Sequence, residues 1–146
     1  MSLISFSCHK PVRLIYLDEL GVQHVIAGWG ESKANKSIDG HPLTVAGQVY
    51  ERGLGTHAES RCRLKLDGRA VSFQALAGVD DEVKKSQHGA ERASVEFIVS
   101  ARDKENRTRI LWKSGLMKAG DPAREVKVNL KRFSLLDLIV SDGGDG

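Results

Sequence analysis

The chain has 146 residues, of which 40% are hydrophobic and 28% charged, and its formal net charge is +3. This length suits one domain with a well-buried core, and the composition is that of an ordinary soluble globular protein. No apolar run approaches the roughly 20 residues that a membrane-spanning helix needs, so no membrane partner is expected. The modest charge gives little support to nucleic-acid binding, because basic residues alternate with acidic ones. We interpret residues 1–146 as a single domain.

The amino-terminal stretch MSLISFSCHKPVRLIYL does not resemble a signal peptide, because it lacks a basic leader and His9 and Lys10 interrupt its apolar residues. Within the domain of residues 1–146, we interpret residues 1–11 as a leader or an added segment. The chain is then either cytoplasmic or a piece of a larger secreted protein. Its two cysteines, Cys8 and Cys62, do not fix the redox compartment. We expect two free thiols, with a disulfide between them as the alternative.

Strict alternation of apolar and polar residues predicts strands along most of the chain. In RCRLKL, for example, Cys62, Leu64 and Leu66 share one face and three basic residues share the other. The predicted strands are 13–17, 22–27, 43–49, 61–66, 71–77, 94–101, 108–113, 125–130 and 135–141. Turn signals such as LDGR and AGDP separate them, and segments 32–38 and 82–93 are predicted loops. Short strands without a helical period indicate an all-β antiparallel sandwich or barrel.

Three adjacent acids, Asp80, Asp81 and Glu82, follow a predicted strand in GVDDEVKK. Such carboxylates suit a hard cation or the hydroxyl groups of a sugar, and a solvated charged loop is the alternative. A glycosidase acid–base pair is not expected, because neighbouring residues on an extended chain point apart. The closing SDGGDG places Asp142 and Asp145 in a glycine-rich turn that is only a weak calcium signal.

Trp29 in GWG and His57 in GLGTHAES are the other candidate binding residues. A tryptophan between glycines in a loop can offer its flat apolar face to a sugar ring, and its alternative is a place in the core. No second histidine stands at ligand spacing from His57, so a zinc site is not expected there. Nothing resembles the nucleophile elbow of a hydrolase, and a dinucleotide-binding motif is absent from the sequence.

Several of these stretches, in this order, resemble the NPCBM family of carbohydrate-binding modules. They are GWG, DGHPLTVAGQVYERGLGTHAES, GVDDEV, VEFIV and LIVSDGGDG, and the similarity runs over residues 12–146. The segment around GLGTHAES is the most specific part. In the family the pattern continues beyond the final glycine-rich turn into a last strand, whereas this chain stops at Gly146.

The resemblance implies an antiparallel β-sandwich, a jelly roll of the galactose-binding type, here lacking its last strand. It also implies a module appended to secreted bacterial glycoside hydrolases such as α-galactosidases, and galactose-type sugars as ligands. A structural calcium ion occurs in such modules, so calcium is the expected cofactor. Localisation would then be secreted or at the cell surface, as part of a larger protein.

The leading hypothesis is therefore a non-catalytic module that binds a galactose-type glycan and accompanies a parent catalytic domain in the same polypeptide. The expected sugar-binding residues are Trp29, His57, Asp80, Asp81 and Glu82. The alternative is a structural or protein-interaction β-sandwich without a sugar site, which the 5% aromatic content makes credible. A nucleic-acid binder using the basic face of RCRLKL is disfavoured, because no aromatic residues are interleaved with its basic residues.

Overall fold

A computed structural model of the chain describes the backbone of residues 4–8, 13–85 and 94–143, and the side chains of the last two ranges. Within these residues the chain forms thirteen strands and three short 3-10 turns. The strands are β1 (Ile4–Cys8), β2 (Arg13–Tyr16), β3 (Val25–Ala27), β4 (Lys33–Ala34), β5 (Leu43–Val45), β6 (Gln48–Tyr50), β7 (Leu54–Gly55), β8 (Ser60–Lys65), β9 (Ala70–Ala77), β10 (Val95–Asp103), β11 (Thr108–Met117), β12 (Arg124–Asn129) and β13 (Phe133–Ser141). The 3-10 turns are Leu17–Leu20, Val22–His24 and Asp81–Lys85.

Two antiparallel sheets form the sandwich. One has four strands in the order β12-β9-β1-β2, and the other has five in the order β11-β10-β13-β8-β3. Two further ladders, β4-β7 and β5-β6, lie outside these sheets. The expectation of an all-β antiparallel sandwich is therefore confirmed. Among the described residues, no helix is both long enough and apolar enough to cross a membrane.

The core lies between the inner faces of the two sheets. Phe73 on β9 is 1% exposed, and the alternating Cys62 and Leu64 on β8 are 5% and 4% exposed. Phe97 on β10 and Leu136 on β13 complete the same cluster from neighbouring strands. Burying one such side chain stabilises the fold by roughly 1.5–3 kcal/mol. A shift of one residue in the pairing of a strand would turn these side chains toward solvent, so the alternation that predicted the strands also specifies their register.

Some predicted boundaries were wrong. Residues 43–49 were predicted as one strand, but they form a hairpin in which Ala46 and Gly47 have φ of 48° and 81°. Positive φ at both central residues is the requirement of a tight two-residue hairpin turn, and Ala-Gly signals it only weakly. Segment 32–38 was predicted as a loop, whereas its residues Lys33–Ala34 form a two-residue ladder with β7. Residues 4–8, which we placed in a leader segment, form β1 between β9 and β2.

The Cys62 thiol is free and faces the core. Burial, and next the negative charge of Asp137, raise the pKa of Cys62 to about 12. Asp137 in turn accepts two hydrogen bonds, of 2.8 and 2.9 Å, from the guanidinium of Arg63 on the outer face of β8. The side chain of Cys8 lies outside the described residues.

Gly55 on β7 occupies a position with no room for a side chain. A Cβ atom there would lie 2.1 Å from the carbonyl oxygen of Lys36 and 2.9 Å from the Cα of Ser37. Both neighbours are backbone atoms, so they cannot move aside as a flexible side chain would. This contact fixes the 36–41 loop against β7.

We predict that Gly55→Ala lowers the free energy of unfolding by about 1–3 kcal/mol or more, because the added methyl group overpacks a backbone contact. Gly28→Ala is the matched control, since a Cβ at Gly28 would meet only the Glu59 carbonyl oxygen at 3.7 Å. Urea unfolding followed by fluorescence measures both variants. Equal stability of the two would contradict the assignment.

We predict that the Cys62 thiol is inert to Ellman's reagent in the folded protein at pH 8. At that pH, well below a pKa of about 12, the thiol is protonated, and the core also shields it. Full reaction is expected in guanidinium chloride. The experiment uses a Cys8→Ser background so that one thiol is counted, and rapid labelling of the native protein would refute the prediction.

Candidate functional site

Loops at one end of the sandwich enclose a cavity of about 390 Å³. Strands β3, β9 and β13 end at this side of the molecule, while β8 and β10 begin there. Apolar side chains from the strand ends form part of the lining, among them Val79, Phe97 and Val140. Polar groups are contributed by His57, Asp80, Glu82 and Asp142, among others. The cavity thus has an apolar side and several hydrogen-bonding groups.

Trp29 lies next to His57, with ring centroids 5.0 Å apart and an angle of 60° between the ring planes. The indole is 63% exposed, so the alternative that Trp29 is a core residue is wrong. The other tryptophan, Trp112, is partly buried and packs against the core. An exposed indole beside a cavity-lining imidazole gives this end of the sandwich a flat apolar surface.

The loop that carries Trp29 is tied to the loop that carries His57 on both sides of the tryptophan. The Gly28 N–H donates to the carbonyl of Glu59 at 2.9 Å, and the Ser32 hydroxyl lies 2.9 Å from the Thr56 hydroxyl oxygen. His57 itself donates from Nδ1 to the carbonyl of Ala58, which leaves Nε2 available. These bonds hold the two rings together before any ligand arrives.

The carboxylates of Asp80 and Asp81 hold the hairpin of β5 and β6. Asp80 accepts a hydrogen bond from the Thr44 N–H at 3.0 Å. Asp81 accepts from the N–H groups of Ala46 and Gly47, at 3.2 and 2.8 Å, in the hairpin turn. The sequence did not indicate this positioning role. Contact of either carboxylate with a sugar stays a prediction.

Glu82 lies between the cavity and the 36–41 loop. Its N–H donates to Asp80 Oδ1 at 3.0 Å, and its Oε2 lies 3.3 Å from His41 Nδ1. The Glu82 side chain is only 11% exposed, whereas that of His41 is 67% exposed. Of the three predicted acids, Asp80 and Glu82 line the cavity, while Asp81 faces the hairpin turn.

The residues Ser37, Ile38 and His41 belong to the 36–41 loop, and the first two line the cavity. Sequence reasoning did not select any of them, because loop residues carry no periodic pattern. The loop predicted over residues 32–38 and the glycine- and proline-containing sequence DGHP were the local indications of an irregular segment here.

A second network supports the loop that leads into GLGTH. Arg52 donates two hydrogen bonds to Asp18, at 3.2 and 2.9 Å, and its guanidinium lies 3.7 Å from the centre of the Tyr16 ring. Asn35 donates to the same carboxylate at 3.1 Å and accepts from the Gly53 N–H at 3.0 Å. Burial acts to raise the pKa of Asp18, but the Arg52 and Asn35 hydrogen bonds outweigh it and hold that pKa below its ordinary value.

Of the two residues predicted to bind a metal ion, Asp142 and Asp145, the structure describes only Asp142. Asp142 lines the cavity, whereas Asp145 lies outside the described residues. Within the described part of the chain, no convergent group of three ligating side chains includes Asp142. The described residues therefore supply no calcium cage of side chains at this turn, and calcium at this position stays a prediction.

The family model of the NPCBM/NEW2 domain matches residues 13–146. A solved structure described as CBM51 from Clostridium perfringens GH95 in complex with methyl-galactose is 33% identical to the chain. Its TM-score is 0.74, and the match covers 90% of this chain and 89% of that one. This similarity spans almost the full length of both chains.

Two curated relatives match as well. A Renibacterium salmoninarum protein named "Putative endo-alpha-N-acetylgalactosaminidase" is 28% identical over 123 residues, which are 80% of this chain and 7% of the relative. The alpha-1,3-galactosidase B of Akkermansia muciniphila is 29% identical over 102 residues, which are 68% of this chain and 11% of the relative. The chain thus corresponds to a small part of each relative. Together with the family match over 13–146, which contains GLGTHAES and GVDDEV, these similarities establish that the chain belongs to the NPCBM/NEW2 family.

Proposed function

We propose that this domain is a non-catalytic carbohydrate-binding module that holds a terminal galactose-type sugar in the cavity beside Trp29 and His57. The observation that carries the proposal is the 63% exposed indole, fixed against a cavity-lining histidine at the loop end of the sandwich. The solved relative in complex with methyl-galactose, which is 33% identical, supports the choice of sugar.

The Trp29 face would contact the apolar side of the sugar. One side of a galactose ring presents mainly C–H groups, and aromatic rings bind such surfaces through dispersion and the hydrophobic effect. The loop bonds at Gly28 and Ser32 hold the indole in place, so little conformational entropy is lost when the sugar binds.

The polar side chains that line the cavity would recognise the arrangement of the sugar's hydroxyl groups through hydrogen bonds. Carboxylates accept hydrogen bonds in defined directions, and the Asp80 and Glu82 side chains both border the cavity. His57 Nε2 can pair with a further hydroxyl, because Nδ1 is already used by the Ala58 carbonyl. We infer that Asp81 acts indirectly, by fixing the β5–β6 turn. Affinity should be weak, with Kd on the order of 0.1–1 mM, because a small site buries little surface.

We further propose that the module accompanies a glycoside hydrolase catalytic domain and directs it to its substrate outside the cell. Two observations support this. The chain corresponds to 7% and 11% of the length of its two curated relatives, and both relatives carry names of glycosidases. A structural calcium ion remains part of the proposal for the glycine-rich turn at Asp142.

We predict that Trp29→Ala weakens galactose binding about tenfold or more, which corresponds to about 1.4 kcal/mol, and leaves the fold intact. The fold should stay intact because the Trp29 side chain is exposed and is not part of the core. NMR titration with galactose, N-acetylgalactosamine and an α-galactoside measures the affinity, and circular dichroism measures the fold. Ile110→Ala is the matched control, since Ile110 is also exposed (58%) but does not line the cavity.

The titration also decides between the sugar-binding and protein-interaction alternatives. Absence of any shift with all three sugars at concentrations on the order of tens of millimolar would overturn the proposed function, because a sugar module must respond in that range. If Trp29→Ala binds the sugars with unchanged affinity, Trp29 does not contribute to the sugar site.

We predict opposite effects for two neighbouring acids. Asp81→Ala should lower the free energy of unfolding by about 1–3 kcal/mol, because the hairpin turn loses hydrogen bonds to a charged acceptor. Its sugar affinity should change less than threefold when measured below the unfolding transition. Glu82→Gln should weaken sugar binding more than Asp81→Ala does and cost less stability. Calorimetric unfolding and NMR titration give the two readouts, and the reverse order would contradict the assigned roles.

A further inference from the structure

Asp39, His41 and Glu82 bring an imidazole and two carboxylates together at the rim of the cavity. One ligand atom from each side chain lies within 4.8 Å of the others, and Asp39 and His41 are exposed while Glu82 is partly buried. We propose that these three side chains bind one divalent transition-metal ion of the zinc type. The inference does not depend on sugar binding, because the ion can be measured without any sugar.

The spacing of two of the donors fits a zinc ion. In a tetrahedral site with bonds of about 2.0–2.1 Å, neighbouring donor atoms lie about 3.3 Å apart. His41 Nδ1 and Glu82 Oε2 are 3.3 Å apart. The third donor, on Asp39, belongs to a short exposed side chain. A rotation about its side-chain bonds can bring it to the same ion.

The backbone of the loop holds His41 in position. The Ser37 N–H donates to the His41 carbonyl at 2.8 Å, and the His41 N–H donates to the Ser37 hydroxyl at 3.0 Å. Ser37 is 1% exposed and therefore anchors the loop inside the fold. Gly40, with φ of 89°, closes the turn through a 3.0 Å hydrogen bond from its N–H to the Ser37 carbonyl.

The position of Glu82 is fixed by hydrogen bonds to residues outside the 36–41 loop. Its N–H is bonded to Asp80, and Asp80 is in turn bonded to the Thr44 N–H of the hairpin. The two halves of the site are therefore fixed by separate backbone anchors although they are 41 residues apart in the sequence. Because the ligand residues are already held in place, less conformational entropy is lost when a metal ion binds.

The donor set favours zinc-type ions over calcium. Imidazole nitrogen with carboxylate oxygen suits zinc, nickel and copper, whereas calcium takes six to eight oxygen ligands. A divalent ion would also screen the mutual repulsion of the Asp39 and Glu82 carboxylates, since both lie in one small cluster. Three protein ligands leave at least one coordination position for water, as in open zinc sites.

The site is distinct from the glycine-rich turn at Asp142 and shares only Glu82 with the proposed sugar site. Glu82 Oε2 lies 3.3 Å from His41 Nδ1, and the Glu82 residue also lines the cavity. A bound ion would therefore lie at the cavity rim, in the 36–41 loop.

The test is calorimetric titration of the EDTA-treated, dialysed full chain with ZnCl₂, with NiCl₂ and CaCl₂ in parallel. We expect one zinc ion per chain in the wild type and at least about tenfold weaker binding in His41→Ala and in Asp39→Asn. His24→Ala is the matched control, because His24 is exposed but belongs to no ligand cluster among the described residues. Its zinc affinity should stay within twofold of wild type.

A second readout identifies the ligand atom directly. Nitrogen-15 NMR of the histidine side chains should show zinc on Nδ1 of His41, with the proton on Nε2. Zinc binding that is unaltered by both His41→Ala and Asp39→Asn, or the absence of zinc binding by the wild type, would overturn the proposal. Calcium binding at this site with zinc excluded would overturn it as well.

Discussion

The organisation of the loops around the cavity depends on one backbone contact, the approach of Gly55 to the Lys36 carbonyl. With only 2.1 Å between a would-be Cβ and that oxygen, only glycine fits. The contact sets β7 beside the 36–41 loop, and the β4–β7 ladder continues it by pairing Lys33 with Gly55. The 36–41 loop supplies one side of the cavity. Removing the contact would therefore disturb several neighbouring groups at once.

Hydrogen bonds from loop to loop then position the side chains of the candidate site. The Trp29 loop is bonded to Glu59 and Thr56, and the β5–β6 turn is bonded to Asp81. The two sheets provide a rigid base, because their inner faces share a close-packed core. These hydrogen bonds therefore fix rings and carboxylates that lie on irregular segments, outside the strands of the two sheets.

Adjacent acids in GVDDEV perform different tasks. Asp80 and Asp81 accept backbone hydrogen bonds from the hairpin, whereas Glu82 turns toward His41. A row of acidic residues in a sequence suggests a single shared role, such as sugar or cation binding. The structure separates them because successive side chains leave the backbone in different directions and meet different loops. Asp80 and Asp81 thus both fix the hairpin, while Asp80 and Glu82 both line the cavity.

The sequence by itself determined the fold class, because strict alternation in segments such as RCRLKL leaves only one face of each strand suitable for the core. The order of several stretches, with GLGTHAES as the most specific part, carried the resemblance to the family, and the family model over residues 13–146 confirms it. Tertiary structure alone decided that Trp29 is exposed beside His57 and that His41 meets Glu82. The reason is physical: periodicity records burial along a strand, whereas the encounter of two loops 41 residues apart depends on distant hydrogen bonds and leaves no local pattern.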